Sequence, residues 1–133
     1  MRLQDTAPKL LSSQELDDAI EAWAEWSRSP TIGAIGSVVS HMREAPAADS
    51  DIMSDEIAVT DRAVGRTMME AWENKRLIRH HFLGRQTIIM LSLFWNVSEN
   101  GLIRLLAEVK GRIGWHIFEI ENERLTIARN RIK

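Results

Sequence analysis

The 133-residue sequence contains no cysteine and no tyrosine, and its three prolines all lie at or before Pro46. The lack of cysteine excludes disulfides, thiolate metal ligands and a cysteine nucleophile, and it fits a reducing compartment. The lack of proline over residues 47–133 permits long helices there, because a proline inside a helix removes a hydrogen bond.

The sequence also lacks a hydrophobic run long enough to cross a bilayer. Its most apolar stretch, residues 87–97, has about half the length that a membrane-spanning helix needs. The first residues do not have the basic start and apolar centre of a secretory signal. We therefore expect a soluble, cytoplasmic protein without a membrane partner. Hydrophobic residues at 44 % and charged residues at 27 % suit one globular domain.

Charge is divided unevenly along the chain. Residues 1–53 hold four Lys/Arg against nine Asp/Glu, whereas residues 54–133 hold thirteen against ten. The first part is therefore acidic and the second is basic, within a net charge of −2 for the whole chain. Positive charge in the second part has the sign that phosphate contacts need. Because the chain is acidic overall, we expect nucleic-acid contact to be local or supported by a partner.

Apolar periodicity predicts an all-α protein. Residues 12–15 form a capping-box pattern, after which Leu16, Ile20 and Trp23 recur at helical spacing. This predicts an amphipathic helix over residues 13–28 that ends before a proline. We expect its acidic side to face solvent and its Trp23 to pack against later helices.

The middle of the chain predicts three further helices. Residues 31–42 are interpreted as a short helix and residues 44–50 as a linker. A long helix is expected from residue 51 or 54 to about residue 72, and a shorter one over residues 75–83. The long helix is expected to contribute these residues to the core: Ile57, Val64, Met68, Met69 and Trp72.

Residues 87–113 carry the most informative pattern, two helical segments separated by a turn. Thr87 can cap the first segment and Ser98 the second. Asn96 stands where a tight turn needs a left-handed residue, a conformation that Asn tolerates well. This order of parts predicts a helix-turn-helix, whose second helix enters the major groove of DNA. The apolar side of that helix recurs at spacings of four, three and four: Leu102, Leu106, Val109 and Ile113.

The opposite side of the second segment supplies the predicted DNA contacts. Asn100 and Arg104 lie one turn apart, and these residue types can read adenine and guanine. Ser98, Glu99 and Ile103 border them. Nearby cations are candidates for phosphate contacts. These are Lys110 and Arg112 in the second segment, and Lys75, Arg76, Arg79 and Arg85 before the first.

The sequence carries no motif of a catalytic centre. It has no phosphate-binding glycine loop, no zinc-protease motif and no serine-nucleophile elbow. Adjacent His80 and His81 point to different sides of a helix, so they cannot share a metal ion as residues four apart would. We therefore expect no enzymatic activity, no cofactor and no metal site.

Three segments together match a known pattern. Residues 20–27 place two tryptophans three apart in an acidic helix, and residues 55–67 form a helix with an acidic start. Residues 79–82 precede the paired segments of residues 87–113. This arrangement resembles the late-gene antitermination proteins Q of lambdoid phages, in the branch whose DNA-binding part is similar to region 4 of sigma factors. Met90 departs from the family, which usually carries Glu or Arg there.

The resemblance implies a helical bundle that contains a sigma-region-4-like helix-turn-helix. It also implies transcription antitermination, in which the protein binds DNA near a late promoter and lets RNA polymerase pass terminators. The implied partners are double-stranded DNA, RNA polymerase and sigma factor.

On this interpretation the chain has an N-terminal tail (residues 1–11) and an N-terminal helical segment (12–53). A helix-turn-helix unit (54–118) and a C-terminal tail (119–133) follow. Three alternatives stay open: an operator-binding repressor or activator, a winged-helix replication protein, and a helical interaction bundle without a DNA role. The winged-helix alternative needs residues 115–129, which alternate in polarity, to form a β-hairpin. The sequence leaves the oligomeric state open.

Overall fold

The computed structural model describes residues 9–29 and 54–132, and in these ranges the protein is all-helical, as predicted. The described elements are α1 (Ser13–Arg28), α2 (Asp55–Glu70), α3 (Trp72–Leu77), a π-helical turn (Ile78–Leu83), α4 (Ile88–Trp95) and α5 (Glu99–Ile132). The short helix and linker expected over residues 31–50 lie outside the described residues, as does most of the expected N-terminal tail.

Helix α1 starts at the predicted capping box. The Ser12 hydroxyl accepts a hydrogen bond from the Glu15 amide at 3.2 Å, and the Glu15 carboxylate accepts one from the Ser12 amide at 2.8 Å. The helix ends at Arg28, and the next residue, Ser29, has an extended ψ of 146° because a proline follows it. Trp23 is buried, and its Nε1 donates to Asp61 of α2 at 2.9 Å, which fixes α1 against α2 as expected.

The core lies mainly between α2 and α5, which run antiparallel along each other. Arg112 of α5 pairs with Glu70 at the end of α2, and Arg124 pairs with Asp55 at the start of α2. Helix α1 packs against α2, and the π-helical turn packs against α1 and α3. The largest fully buried side chains come from four elements and from the end of α3: Val64, Thr67, Leu77, Ile78, Leu91, Val109, Ile113 and Ile120.

The helical conformation is interrupted between α2 and α3 at Ala71, whose φ of −158° and ψ of 143° are extended. This interruption is called the break below. Asn74 bridges the break, since its side-chain amide donates to the Thr67 carbonyl at 3.1 Å. Trp72 follows the break and is 65 % exposed, while Met69, two residues after the buried Thr67, lies on the outer side of α2 and is 86 % exposed. The prediction that these two residues belong to the core is therefore wrong.

The helix predicted over residues 75–83 consists of the end of α3 and the π-helical turn. The turn ends when the Gly84 amide donates to the Arg79 carbonyl at 2.9 Å. A Cβ at Gly84 would lie 2.7 Å from the His80 carbonyl oxygen, so glycine is needed for this close approach. The side chain of Ile78 is fully buried, while those of His81 and Phe82 are half-buried.

Residues 115–129 lie inside α5, so the β-hairpin required by the winged-helix alternative is wrong. Ile113, Ile117 and Ile120 recur at helical spacing and are all buried, and this packing outweighs the alternation of polarity. The helix continues across the expected C-terminal tail to Ile132. At about 51 Å, α5 is the longest of the described helices.

Candidate nucleic-acid interface

Helix α4 has the predicted start and end. The Thr87 hydroxyl accepts a hydrogen bond from the Met90 amide at 3.1 Å, which caps the first turn. Asn96 closes the helix in the left-handed conformation, with φ 55° and ψ 48°, and its amide donates to the Ser92 carbonyl. Both features were predicted from residue type and position, because each depends on hydrogen bonds within a few residues.

The turn between α4 and α5 is held by two serines. The Ser92 hydroxyl donates to the Val97 carbonyl at 2.6 Å, and the Ser98 hydroxyl accepts from the Gly101 amide at 3.0 Å. These bonds fix the direction in which α5 leaves the turn.

The start of α5 presents its polar side to solvent. Leu102 and Val109 are buried on the opposite side, so Asn100 and Arg104 are exposed one turn apart. Among the described residues, neither of these two side chains has a hydrogen bond or an ion pair within the protein. They are available to a ligand. The neighbouring residues that were predicted to contact DNA are also exposed: Ser98, Glu99 and Ile103.

Two of the predicted phosphate contacts are engaged within the protein. Lys110 Nζ lies 3.0 Å from Asp17 Oδ1 of α1. Arg112 donates to both carboxylate oxygens of Glu70, with 3.1 Å from Nε to Oε1. Each pair joins α5 to another helix, so a phosphate contact by either cation would have to replace a contact of the fold.

Arg76 lies close to the start of α5. Its guanidinium stacks on Trp95, 3.8 Å from the ring centroid, and lies 5.0 Å from the centroid of Trp72. Arg76 and Trp95 line a groove whose other side includes Ser98 and Gly101. Stacking on aromatic faces holds the guanidinium in place while leaving its edge N–H groups able to donate.

Arg85 lies in a different groove, between α1 and the π-helical turn. It adopts a left-handed φ of 59° and lines that groove together with Lys110 and the acidic residues Asp17 and Glu21. The structure therefore does not bring Arg85 together with Arg76 at the start of α5. The two remaining predicted cations are exposed on α3 and on the π-helical turn: Lys75 and Arg79.

A polar cluster between α2 and α5 was not predicted. His116 is only 8 % exposed, and its Nε2 and Nδ1 lie 2.8 Å from carboxylate oxygens of Glu70 and Glu119 respectively. Arg112 hydrogen bonds, together with His116, hold the pKa of Glu70 at about 2, below its usual value of 4.5. The spacing of Arg112, His116 and Glu119 on one helix is visible in the sequence, but their partner Glu70 is not.

The outer face of α4 is exposed and entirely apolar. It consists of Ile89, Met90, Leu93 and Phe94, which are 58, 41, 75 and 67 % exposed. Residues 89 and 93 form one row along the helix and residues 90 and 94 the next, so the four side chains are neighbours. The sequence indicates an apolar helix here, but only the packing shows which residues face outward.

No group of three or more His, Asp or Glu side chains within residues 9–29 and 54–132 is placed to hold a metal ion. In the same part of the chain, no helix has the length and hydrophobicity to span a membrane. Comparisons with protein-family models, with curated proteins and with solved structures found no match to this chain. The resemblance to the Q antitermination proteins stays a prediction.

Proposed function

We propose that the protein is a DNA-binding transcription factor of the antiterminator type, which reads DNA with the start of α5 and acts together with RNA polymerase. One observation carries the proposal: two capped helices meet at a left-handed Asn96, and the second exposes Asn100 and Arg104 one turn apart. In a helix-turn-helix, the first residues of the second helix contact base edges in this way.

The start of α5 also suits a DNA phosphate. The first amides of a helix carry partial positive charge, and Arg76 lies in the groove that Ser98 and Gly101 line. A phosphate entering this groove would meet the guanidinium and the helix end together. The stacking on Trp95 would reduce the entropy lost when Arg76 binds.

Few of the predicted phosphate-contacting cations are free of partners within the protein. This favours DNA binding that is supported by a second contact on another protein. Lys110 and Arg112 are in ion pairs, and Arg85 lies beside the acidic α1. If about four cations reach phosphates, log K should fall with log salt at a slope of about −3.6. That is a modest electrostatic contribution, so a second contact on polymerase would raise the effective concentration of the protein at its site.

Helix α1 offers a surface for the second contact. Asp18, Glu21 and Glu25 are exposed at spacings of three and four, so they form one acidic row. A row of carboxylates is complementary to a basic protein surface. The start of α5 and this acidic row lie on different helices, so the proposed DNA contact and the proposed polymerase contact use different residues.

The DNA contact is tested by fluorescence titration of Asn100→Ala and Arg104→Ala against the DNA upstream of the protein's own gene. Each variant should lose roughly 1–3 kcal/mol of specific binding if the residue reads a base. Arg131→Ala, at the exposed far end of α5, is the matched control and should bind like wild type. Wild-type binding by all three would show that the DNA-reading surface lies elsewhere.

The antitermination function is tested by transcription in vitro on a template with a terminator downstream of the native promoter. Adding the protein should raise read-through, and Arg104→Ala should reduce that effect. Asp18→Lys with Glu25→Lys should reduce read-through without weakening binding to free DNA. Unchanged termination together with strong repression of initiation would favour an operator-binding repressor instead.

A further inference from the structure

The outer face of α4 is an apolar surface that the fold, over the described residues, does not use. Taking roughly 150–250 Å² for a large aromatic side chain and slightly less for an aliphatic one, the exposed fractions of Ile89, Met90, Leu93 and Phe94 leave roughly 400–500 Å² of apolar surface. The largest apolar patch of a monomer is about 300–600 Å² and is often functional.

The apolar area of this face is close to the apolar area that each partner buries in an interface of standard size. A standard interface buries about 800 Å² on each partner, of which roughly 56–65 % is apolar. The four residues of α4 would supply nearly all of that apolar part. No other element of the described chain needs to contribute a large apolar side chain.

The charge pattern of α4 favours a second copy of the chain as the occupant. The eight residues of α4 include no charged side chain. A partner with a charged surface would gain no ion pair on this helix and would lose hydration there. A second α4, equally apolar and uncharged, meets no unpaired charge and no like-charge repulsion.

We propose that the protein self-associates through α4, with the two copies of the helix packed across a two-fold axis. In such an isologous contact the same patch serves both partners. Leu93 and Phe94 are the most exposed members of the face, so they are expected nearest to the axis. The inference does not depend on DNA binding or on antitermination.

The test is sedimentation velocity of the full chain over a range of concentrations. Wild type should pass from monomer to dimer as its concentration rises. Leu93→Glu and Phe94→Glu should each raise the dissociation constant by about 100-fold or more, because symmetry buries two unpaired charges for each substitution. Met69→Glu is the matched control: Met69 is 86 % exposed but lies on α2, and its substitution should leave the dissociation constant unchanged.

A second readout uses the natural lack of cysteine. Leu93→Cys should form a disulfide-linked dimer under mild oxidation at concentrations where wild type is dimeric, and Met69→Cys should not. A wild type that stays monomeric throughout the range would overturn the proposal, since another part of the chain or a different protein then covers α4. A dimer that withstands both Glu substitutions in α4 would also overturn it, because the interface then lies elsewhere.

Discussion

Aliphatic and cationic side chains occur both in the packing between α2 and α5 and in the region around α4, but their surroundings differ. Between α2 and α5, aliphatic side chains such as Val64 and Ile113 are fully buried, and the cation Arg112 is held by the Glu70 carboxylate. Around α4, aliphatic side chains such as Leu93 are exposed, and Arg104 has no partner in the described part of the chain. The first region therefore stabilises the fold, and the second keeps its groups available for binding.

The largest effect should come from truncating a buried side chain of the first region. Ile113→Ala should lower the free energy of unfolding by about 2–5 kcal/mol, because it removes buried methylene groups and leaves a cavity. Leu93→Ala, an exposed counterpart on α4, should stay within about 0.5 kcal/mol of wild type. Urea denaturation at a concentration where the protein is monomeric measures both. Equal losses would show that α4 is part of the stabilising core.

The polar cluster between α2 and α5 should have the next largest effect. Glu70→Gln removes the carboxylate shared by Arg112 and His116 and should cost about 1–3 kcal/mol of unfolding free energy at pH 7. Glu73→Gln, on the exposed side of α3, is the control and should leave the unfolding free energy near wild type. If both substitutions are neutral, the cluster does not stabilise the contact between the two helices.

Acid should weaken the same cluster. The pKa of Glu70 is about 2 in the folded protein and about 4.5 in its unperturbed state, so the folded state binds this proton less readily than the unfolded state. The stability that Glu70 contributes is therefore fully present above about pH 4.5 and is lost as pH falls toward 2. Denaturation midpoints measured between pH 6 and 3 should fall less steeply in Glu70→Gln than in wild type. If wild type and Glu70→Gln showed the same dependence of the midpoint on pH, Glu70 would not be the group whose protonation weakens the fold.

The turn before α5 should show the smallest effect. Asn96→Ala should cost about 1–2 kcal/mol, because a Cβ without a local hydrogen-bonding group is unfavourable in the left-handed conformation. Asn96→Gly should stay close to wild type, since glycine enters that conformation readily. Thermal unfolding of the two variants separates the cost of the left-handed conformation from the loss of an Asn96 side-chain contact. If the contact mattered, both variants would lose the same amount of stability.

The sequence by itself determined the features that depend on neighbouring residues. The capping box of Ser12 and Glu15, the caps at Thr87 and Ser98 and the left-handed Asn96 were all predicted at the residues where they occur. Each of them is decided by a hydrogen bond or a steric preference within about four residues, which the local sequence specifies completely.

Only the tertiary structure decided what depends on residues far apart in the chain. The break at Ala71 turns Trp72 outward although it fits the inner period of α2, and packing against α2 keeps residues 115–129 helical although they alternate in polarity. Lys110 and Arg112 look available in the sequence, yet Asp17 and Glu70 engage them. A helical period gives the direction of a side chain but not what faces it, because burial and ion pairing depend on how the helices pack together.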